Sequence, residues 1–381
     1  MNLNRPGRFL SLDVFRGMTI AMMILVNNPG SWRYVFAPLD HAKWFGCTPT
    51  DLVFPFFLFA VGNAMSFSMK KYEALGQAAV LWKIFRRTAL IFLISYAIHF
   101  YPFFRYDAVT HSWSHKFHLD HIRIMGVLQR IALAYCAAAL LIHYLGLRRA
   151  LLIGILILPA YWGLLMWLGD PGAQLTLEGN AVLKLDRFLF GPDHLYHGEG
   201  VPFDPEGVLS TLPAVSSVIF GYRAGVFIQQ KGKSYECVAG LFLAGTLMLA
   251  LALCWNPLFP IAKKLWTSSF VLYTTGLALY VIAVLIWLLE IRAWNPGNWS
   301  RFFTVFGKNP LFIYILADVV VLSYFAIPMT PGRNMYGWLY TVVFQPLFGN
   351  WMGSLAFAVF HVLLFWLVGL WLDRKKIYIR V

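Results

Sequence analysis

Charge is scarce in this chain. Only 13% of its 381 residues are Asp, Glu, Lys or Arg, and 59% are hydrophobic, well above the ~45–50% of a soluble globular chain. No polar stretch is long enough to make a soluble domain, so residues 1–381 are read as a single transmembrane domain. Cysteine is scarce as well. Cys47, Cys136, Cys237 and Cys254 show neither a CxxC nor a His/Cys ligand spacing, so neither a disulfide framework nor a zinc site is indicated and no metal is expected. No P-loop, GxSxG, HExxH or GxGxxG stands in a supportive context. The hydropathy order shows no direct or inverted repeat, which argues against a transporter. The net charge of +14 is spread through short loops rather than gathered in a patch, so nucleic acid is not an expected partner.

Apolar runs are plentiful. Runs of about 18–22 residues recur along the chain, the length a helix needs to cross a bilayer. The expected fold is an all-α polytopic membrane protein of about ten transmembrane helices. The spans are 13–29, 50–69, 88–103, 126–145, 150–168, 207–228, 237–255, 268–289, 303–327 and 352–372. Nineteen Lys and Arg fall to the terminal segments and the loops on their side, ten to the loops opposite. The positive-inside bias therefore predicts cytoplasmic N and C termini. Residues 1–26 have a basic start and an apolar run but no small-residue cleavage site, so they are read as an uncleaved first helix. The long loops, 102–125 and 169–206, lie on the outer side, and a substrate site open to the exterior is the natural reading of that asymmetry.

The stretch from Ser11 to Ser68 holds the chemistry. Two apolar segments flank one hydrophilic hairpin with His41 at its centre. Asp13, Arg16, Asn27, Asn28, Asp51 and Asn63 sit inside or at the ends of those segments, where lipid makes polar groups costly. Pro29 and Gly30 stop the first helix; Thr48, Pro49 and Asp51 read as N-cap, N1 and N3 of the second. Arg16, Ile20, Met23 and Asn27 share one helix face, with Arg16 and Asn27 about 16 Å apart at 1.5 Å per residue. A long, thin ligand with an anionic head and a reactive tail suits that face.

The chain resembles the heparan-α-glucosaminide N-acetyltransferase-like family of transmembrane acyltransferases in its bacterial form. The matching pieces run in order from residue 11 to residue 314: SLDVFRG (11–17), LVNN (25–28), DHAKWFG (40–46), TPTDLVFPFFLF (48–59), RIMGVLQRIALAY (123–135), FDPEGVLSTLPA (203–214), KKLWTSSFVLYTTGLA (263–278) and GKNPLFIY (307–314). The resemblance implies acetyl-CoA as donor, taken from the cytosol, and an amino sugar as acceptor on the far side. It puts the active-site histidine at His41 and a neighbouring asparagine at Asn27. One departure from the human type is expected: its luminal domain and extra N-terminal helix have no counterpart in the matching pieces.

The residues leave several roles open. An imidazole suits proton removal near neutrality, or transient carriage of the acetyl group; a solvated loop histidine is the plain alternative for His41. Asn27 is an oxyanion donor or a helix cap. Asp51 is a helix cap or the group that orients His41. Arg16 neutralises Asp13 or meets a phosphate of the donor. Arg130, Lys264 and Asn309 are further candidates on the cofactor side, each with a structural alternative. Asp40, Asp204, Glu206 and Trp266 are candidates for the sugar. Asn309 and Asp318 could line the cavity. His111, His115, His118 and His121 are spaced for a metal, though a wet loop suits them better.

The reading is an acetyl-CoA-dependent sugar N-acetyltransferase, multi-pass in a bacterial inner membrane. A glycan O-acetyltransferase with the same site and an amino-sugar transporter are the rivals. Membrane lipid is a further partner, and a homodimer a further expectation.

Overall fold

The computed structural model describes residues 9–72, 76–107, 112–115 and 119–379. Twelve helices carry it: α1 (Leu10–Asn27), α2 (Val53–Tyr72), α3 (Gln77–Phe100), α4 (Val127–Leu168), α5 (Ala181–Phe190), α6 (Val208–Lys231), α7 (Tyr235–Trp255), α8 (Ser268–Ile286), α9 (Ser300–Lys308), α10 (Pro310–Ala326), α11 (Met335–Leu339) and α12 (Gln345–Arg374). The strands form two small antiparallel hairpins, β1 (Phe104–Asp107) with β2 (Ser112–His115), and β3 (Pro328–Thr330) with β4 (Arg333–Asn334). The chain is an all-α polytopic membrane protein.

Among the described residues seven helices are long and apolar enough to cross a membrane, or eight if α9 and α10 count as one. Ten were expected from the sequence. Two of the ten lie within α4, a 42-residue helix divided at Gly146, where φ is 73°. Another falls in α3, whose first half carries Lys83, Arg86 and Arg87. The expected continuous span 303–327 is broken: α9 and α10 meet at a 76° bend. Pro310 opens α10, and the residue before a proline is pushed out of helical geometry; Asn309 takes φ −131°, ψ 51°.

Glycine sets the closest approaches. A Cβ on Gly62 of α2 would overlap the Val218 carbonyl of α6, and one on Gly221 of α6 would overlap the Phe59 carbonyl of α2. Gly17 of α1 and Gly307 of α9 do the same for the α1–α9 crossing, against the carbonyls of Phe303 and Asp13. In lipid no hydrophobic effect drives helices together, so close backbone contact through small residues supplies the packing energy.

The segment ends sort into two groups. At one end Glu290 accepts from the Ser11 N–H at 3.1 Å and pairs with Lys233 at 2.6 Å; an anion there also suits the positive end of α1. Lys308 pairs with Asp373 at 2.6 Å on the same side. At the other end the loops around 40–51, 123, 170–206 and 260–267 meet. The Trp44 indole donates to the Leu175 carbonyl at 2.7 Å, and the Gly46 N–H to the Ile261 carbonyl at 2.7 Å. Lys233, counted with the terminal side in the sequence, thus lies at the end that holds the start of α1.

Candidate active site

Asp51 is the anchor of the site. As expected, Thr48 is the N-cap, Pro49 is N1 and Asp51 is N3, here of a 3₁₀ turn, Pro49–Leu52, that leads into α2. Asp51 Oδ2 accepts from the Thr48 N–H at 3.1 Å, the Thr48 hydroxyl at 3.1 Å and the Ala42 N–H at 3.0 Å. Its other oxygen, Oδ1, lies 2.7 Å from His41 Nδ1. Capping and orientation of His41 looked like alternatives in the sequence, yet one carboxylate does both with its two oxygens.

The carboxylate of Asp51 is fully buried while the His41 side chain is 40% exposed. With Nδ1 donating to a carboxylate, Nε2 carries the lone pair; the tautomer is assigned from this hydrogen bond. Asp40 holds the backbone beside it, its Oδ1 accepting from the His41 N–H at 2.8 Å.

Lys263 completes the cluster. Its Nζ lies 3.1 Å from His41 Nδ1 and 3.5 Å from Asp51 Oδ1. Burial pushes its pKa below the ordinary lysine value, against the opposing pull of Asp51 and Glu206. The loop 260–267 is brought there by the Gly46–Ala262 bridge, and Gly46 has φ +105°, a left-handed value that favours glycine. The sequence reading chose the neighbour, Lys264. That side chain instead pairs with Glu199 and lies 5.9 Å from the Trp44 ring centroid. Nothing in two adjacent lysines distinguishes them until the loop is folded.

One layer beneath, Arg130 is fully buried between the rings of Phe54 and Trp266, at 5.9 and 4.9 Å from their centroids. Phe54 follows Asp51 by three residues, and Trp266 follows Lys263 by three. Arg130 Nη2 donates to the Pro205 carbonyl at 2.7 Å and to Ser210, but Nε and Nη1 have no hydrogen-bond partner among the described residues. Buried donors without a partner are rare in folded proteins.

Asp204 and Glu206 are already engaged. Arg123 donates to Asp204 at 2.9 and 2.7 Å and to Glu206 at 2.6 Å. Burial alone would raise the Glu206 carboxyl, but Arg123, Arg130 and Lys263 bring it below its ordinary value. These carboxylates form an ion cluster behind the site rather than two free acceptors for an amine.

Asn27 ends α1 with an exposed side chain that makes no hydrogen bond among the described residues, whereas Asn28 is buried and caps the helix through the Ile24 carbonyl at 2.7 Å. Arg16, toward the other end of α1, pairs with Asp13 and lines two cavities. One, of about 90 Å³, lies between α1, α2, α3, α4 and α10, and Arg87, Tyr135, Phe57 and Pro310 also line it. Arg87 is one of the nineteen basic residues that the sequence assigns to the terminal side. Its guanidinium sits 4.7 Å from the Tyr135 ring centroid, and its Nε has no hydrogen-bond partner among the described residues. The second cavity, about 240 Å³, is lined by Asp13, Arg16 and Asn63. Phe57 is six residues from Asp51, about 9 Å of helical rise.

Asn309 sits at the α9–α10 break with its amide spent on the C-terminal tail. Its Nδ2 donates to the Ile377 carbonyl at 3.0 Å, and its Oδ1 accepts from the Ile379 N–H at 2.8 Å. Asp318 is hydrogen-bonded by Tyr314. His111 and His118 lie outside the described residues. Among the described residues no group of three or more His, Cys, Asp or Glu could hold a metal.

Residues 8–173 match the family model described as heparan-alpha-glucosaminide N-acetyltransferase, catalytic. The chain is 29% identical over 368 residues to a human protein named heparan-alpha-glucosaminide N-acetyltransferase, covering 82% of this chain and 53% of that one. It is 27% identical over 371 residues to the mouse protein of the same name, covering 82% and 54%. The chain thus spans about half the length of the curated relatives it matches.

Proposed function

We propose that this chain is a member of the heparan-alpha-glucosaminide N-acetyltransferase-like family of membrane proteins and that it transfers an acetyl group from acetyl-CoA to the amine of an amino sugar of the glucosamine type. The reaction crosses the cytoplasmic membrane of a bacterium: acetyl-CoA arrives from the cytoplasm and the sugar from the periplasm. The observation that carries this reading is the His41–Asp51–Lys263 cluster, built from two loops at the opposite end of α1 from Arg16.

The donor's phosphates meet Arg16 and Arg87, two guanidinium groups on one cavity, and charge-assisted contacts of this kind are the strong ones. The pantetheine arm extends toward His41, past Phe57. In this reading the amide of Asn27, which makes no hydrogen bond among the described residues, and the spare N–H groups of Arg130 are the donors assigned to the acyl end. As the sugar amine attacks the thioester carbonyl, the C–N bond forms, and negative charge gathers on the carbonyl oxygen, where Asn27 donates to it. His41 Nε2 takes the amine proton while Asp51 holds Nδ1. The C–S bond then breaks, and the proton passes to the departing CoA thiolate. The acceptor site is formed by the loop of Asp40 and His41, with Trp266 and the Arg123–Asp204–Glu206 cluster behind it.

The test is CoA release by purified protein against a panel of amino sugars and glycans. Wild type should release CoA with a glucosamine-type acceptor. His41→Ala should keep acetyl-CoA binding and lose transfer by about 10²–10⁴-fold, the usual worth of a general base. Raising the pH should partly rescue it, since more of the amine is then unprotonated and solvent base can take the proton it sheds on attack. A folded His41→Ala protein with near wild-type rate removes His41 from the mechanism. Movement of intact sugar without CoA release favours a transporter.

A further inference from the structure

A third cavity, sharing no lining residue with the two at Arg16, is not used by the proposed reaction. It is an open groove of about 780 Å³ between the second limb of α4 and helices α6, α7 and α8. Its walls are apolar, from Ile155, Phe220, Met248, Leu251 and Leu272, with one charged residue, Arg223. Arg223 makes no ion pair or hydrogen bond among the described residues; its guanidinium lies only against the Phe227 ring, 5.7 Å from the centroid. It stands eight residues before the end of α6, about 12 Å inside the helix terminus. An arginine at that depth needs an anion or must reach to the interface.

We propose that the groove binds an anionic glycerophospholipid, with the phosphate on Arg223 and one acyl chain along α7. Shape supports a chain. Lining residues run from Gly240 to Trp255 on α7, about 22 Å of helical rise, which exceeds the ~15 Å depth of one leaflet. Charge supports the phosphate. Arg223 lies at the end of the groove toward Gly240 and Leu151. Arg148 precedes Leu151 by three residues, on the same face of α4, and is exposed without an ion pair among the described residues. This is also the end of the molecule that holds Lys233 and Glu290, so the headgroup would sit in the leaflet on the Arg16 side.

A second copy of the chain fits less well. The described acids at that end are already paired: Asp13 with Arg16, Glu236 with Lys231, Glu290 with Lys233 and Asp373 with Lys308. A partner copy would bring no free carboxylate from this face to Arg223. A phospholipid brings the anion and the apolar tail in one molecule.

The experiment uses the full chain in neutral detergent. Phosphatidylglycerol and phosphatidylcholine with identical chains are added, and the melting temperature is followed; inorganic phosphate is a third arm. Phosphatidylglycerol should raise the melting temperature by several degrees and phosphatidylcholine by much less. Arg223→Gln should abolish the difference, and so should Ala244→Trp, which fills the groove and leaves the arginine. Phosphatidylglycerol with a mid-chain photoreactive group should label wild-type peptides from α4, α6, α7 or α8 that line the groove, which tests the proposal even where a variant fails to fold. Equal stabilisation by both lipids, full stabilisation by inorganic phosphate alone, labelling elsewhere, or disulfide-linked dimers formed through Leu251→Cys in membranes would each overturn it.

Discussion

His41 and Lys263 meet at Asp51 Oδ1, and the balance among these three groups governs what His41 can do. Asp51 is fully buried, and an isolated buried carboxylate is costly. Its backbone hydrogen bonds offset part of that cost and the Lys263 ammonium another part. Lys263→Met removes the countercharge while leaving the capping hydrogen bonds and the His41 contact. A charge-assisted contact is worth roughly 1.5–3 kcal/mol, so kcat should fall about ten- to a hundred-fold with the KM for the acyl donor little changed. The pH–rate profile should move as well. A lysine that only supports the loop would instead lower the melting temperature and leave kcat and its pH profile where they were.

At the scale of elements, two features govern how helices meet. The first is the pair of glycine crossings. Gly221→Leu should force α6 away from α2 and cost about 1–3 kcal/mol or more, read as a lower melting temperature in detergent. Gly163→Leu is the control, because a Cβ there meets nothing within 4 Å. The second is the start of α6, where Asp186 on α5 accepts from the Val208 N–H at 3.0 Å. Its other oxygen is buried without a hydrogen-bond partner among the described residues, and burial pushes its pKa up to about 7. The folded pKa exceeds the unfolded one, so the contribution is fully present below about 4, the unfolded carboxylate value. It is then lost as pH rises through about 7. The gap in melting temperature between wild type and Asp186→Asn should therefore shift against wild type across that window and level off above it. A gap that is flat in pH would mean the carboxyl stays ionised throughout.

For the molecule as a whole, sidedness is the quantity everything else depends on. The basic bias predicts cytoplasmic termini and an exterior His41. A cysteine at position 41, on a background lacking the native cysteines, should react with an impermeant reagent in intact cells with a permeabilised outer membrane. Labelling only after the inner membrane is lysed would reverse the orientation and, with it, the route proposed for donor and acceptor.

Much was legible in the sequence because lipid is an unforgiving solvent. Long apolar runs must be helices there, so the all-α class and most segments could be read directly. Local chemistry was legible for the same kind of reason: Thr48, Pro49 and Asp51 cap a turn through neighbours three residues apart, and Asn28 before Pro29 ends α1. What depended on distant parts of the chain was not. Lys263 reaches His41 across 222 residues; its place follows from the Gly46–Ala262 bridge and is invisible in a pair of adjacent lysines. Asp204 and Glu206 look free in sequence, yet Arg123, some eighty positions earlier, occupies both. Asn309 reads as a residue within a span but holds the C-terminal tail. Hydropathy and caps act over one helical turn and can be read along a line, whereas charge pairing is decided by which loops the packed helices bring together.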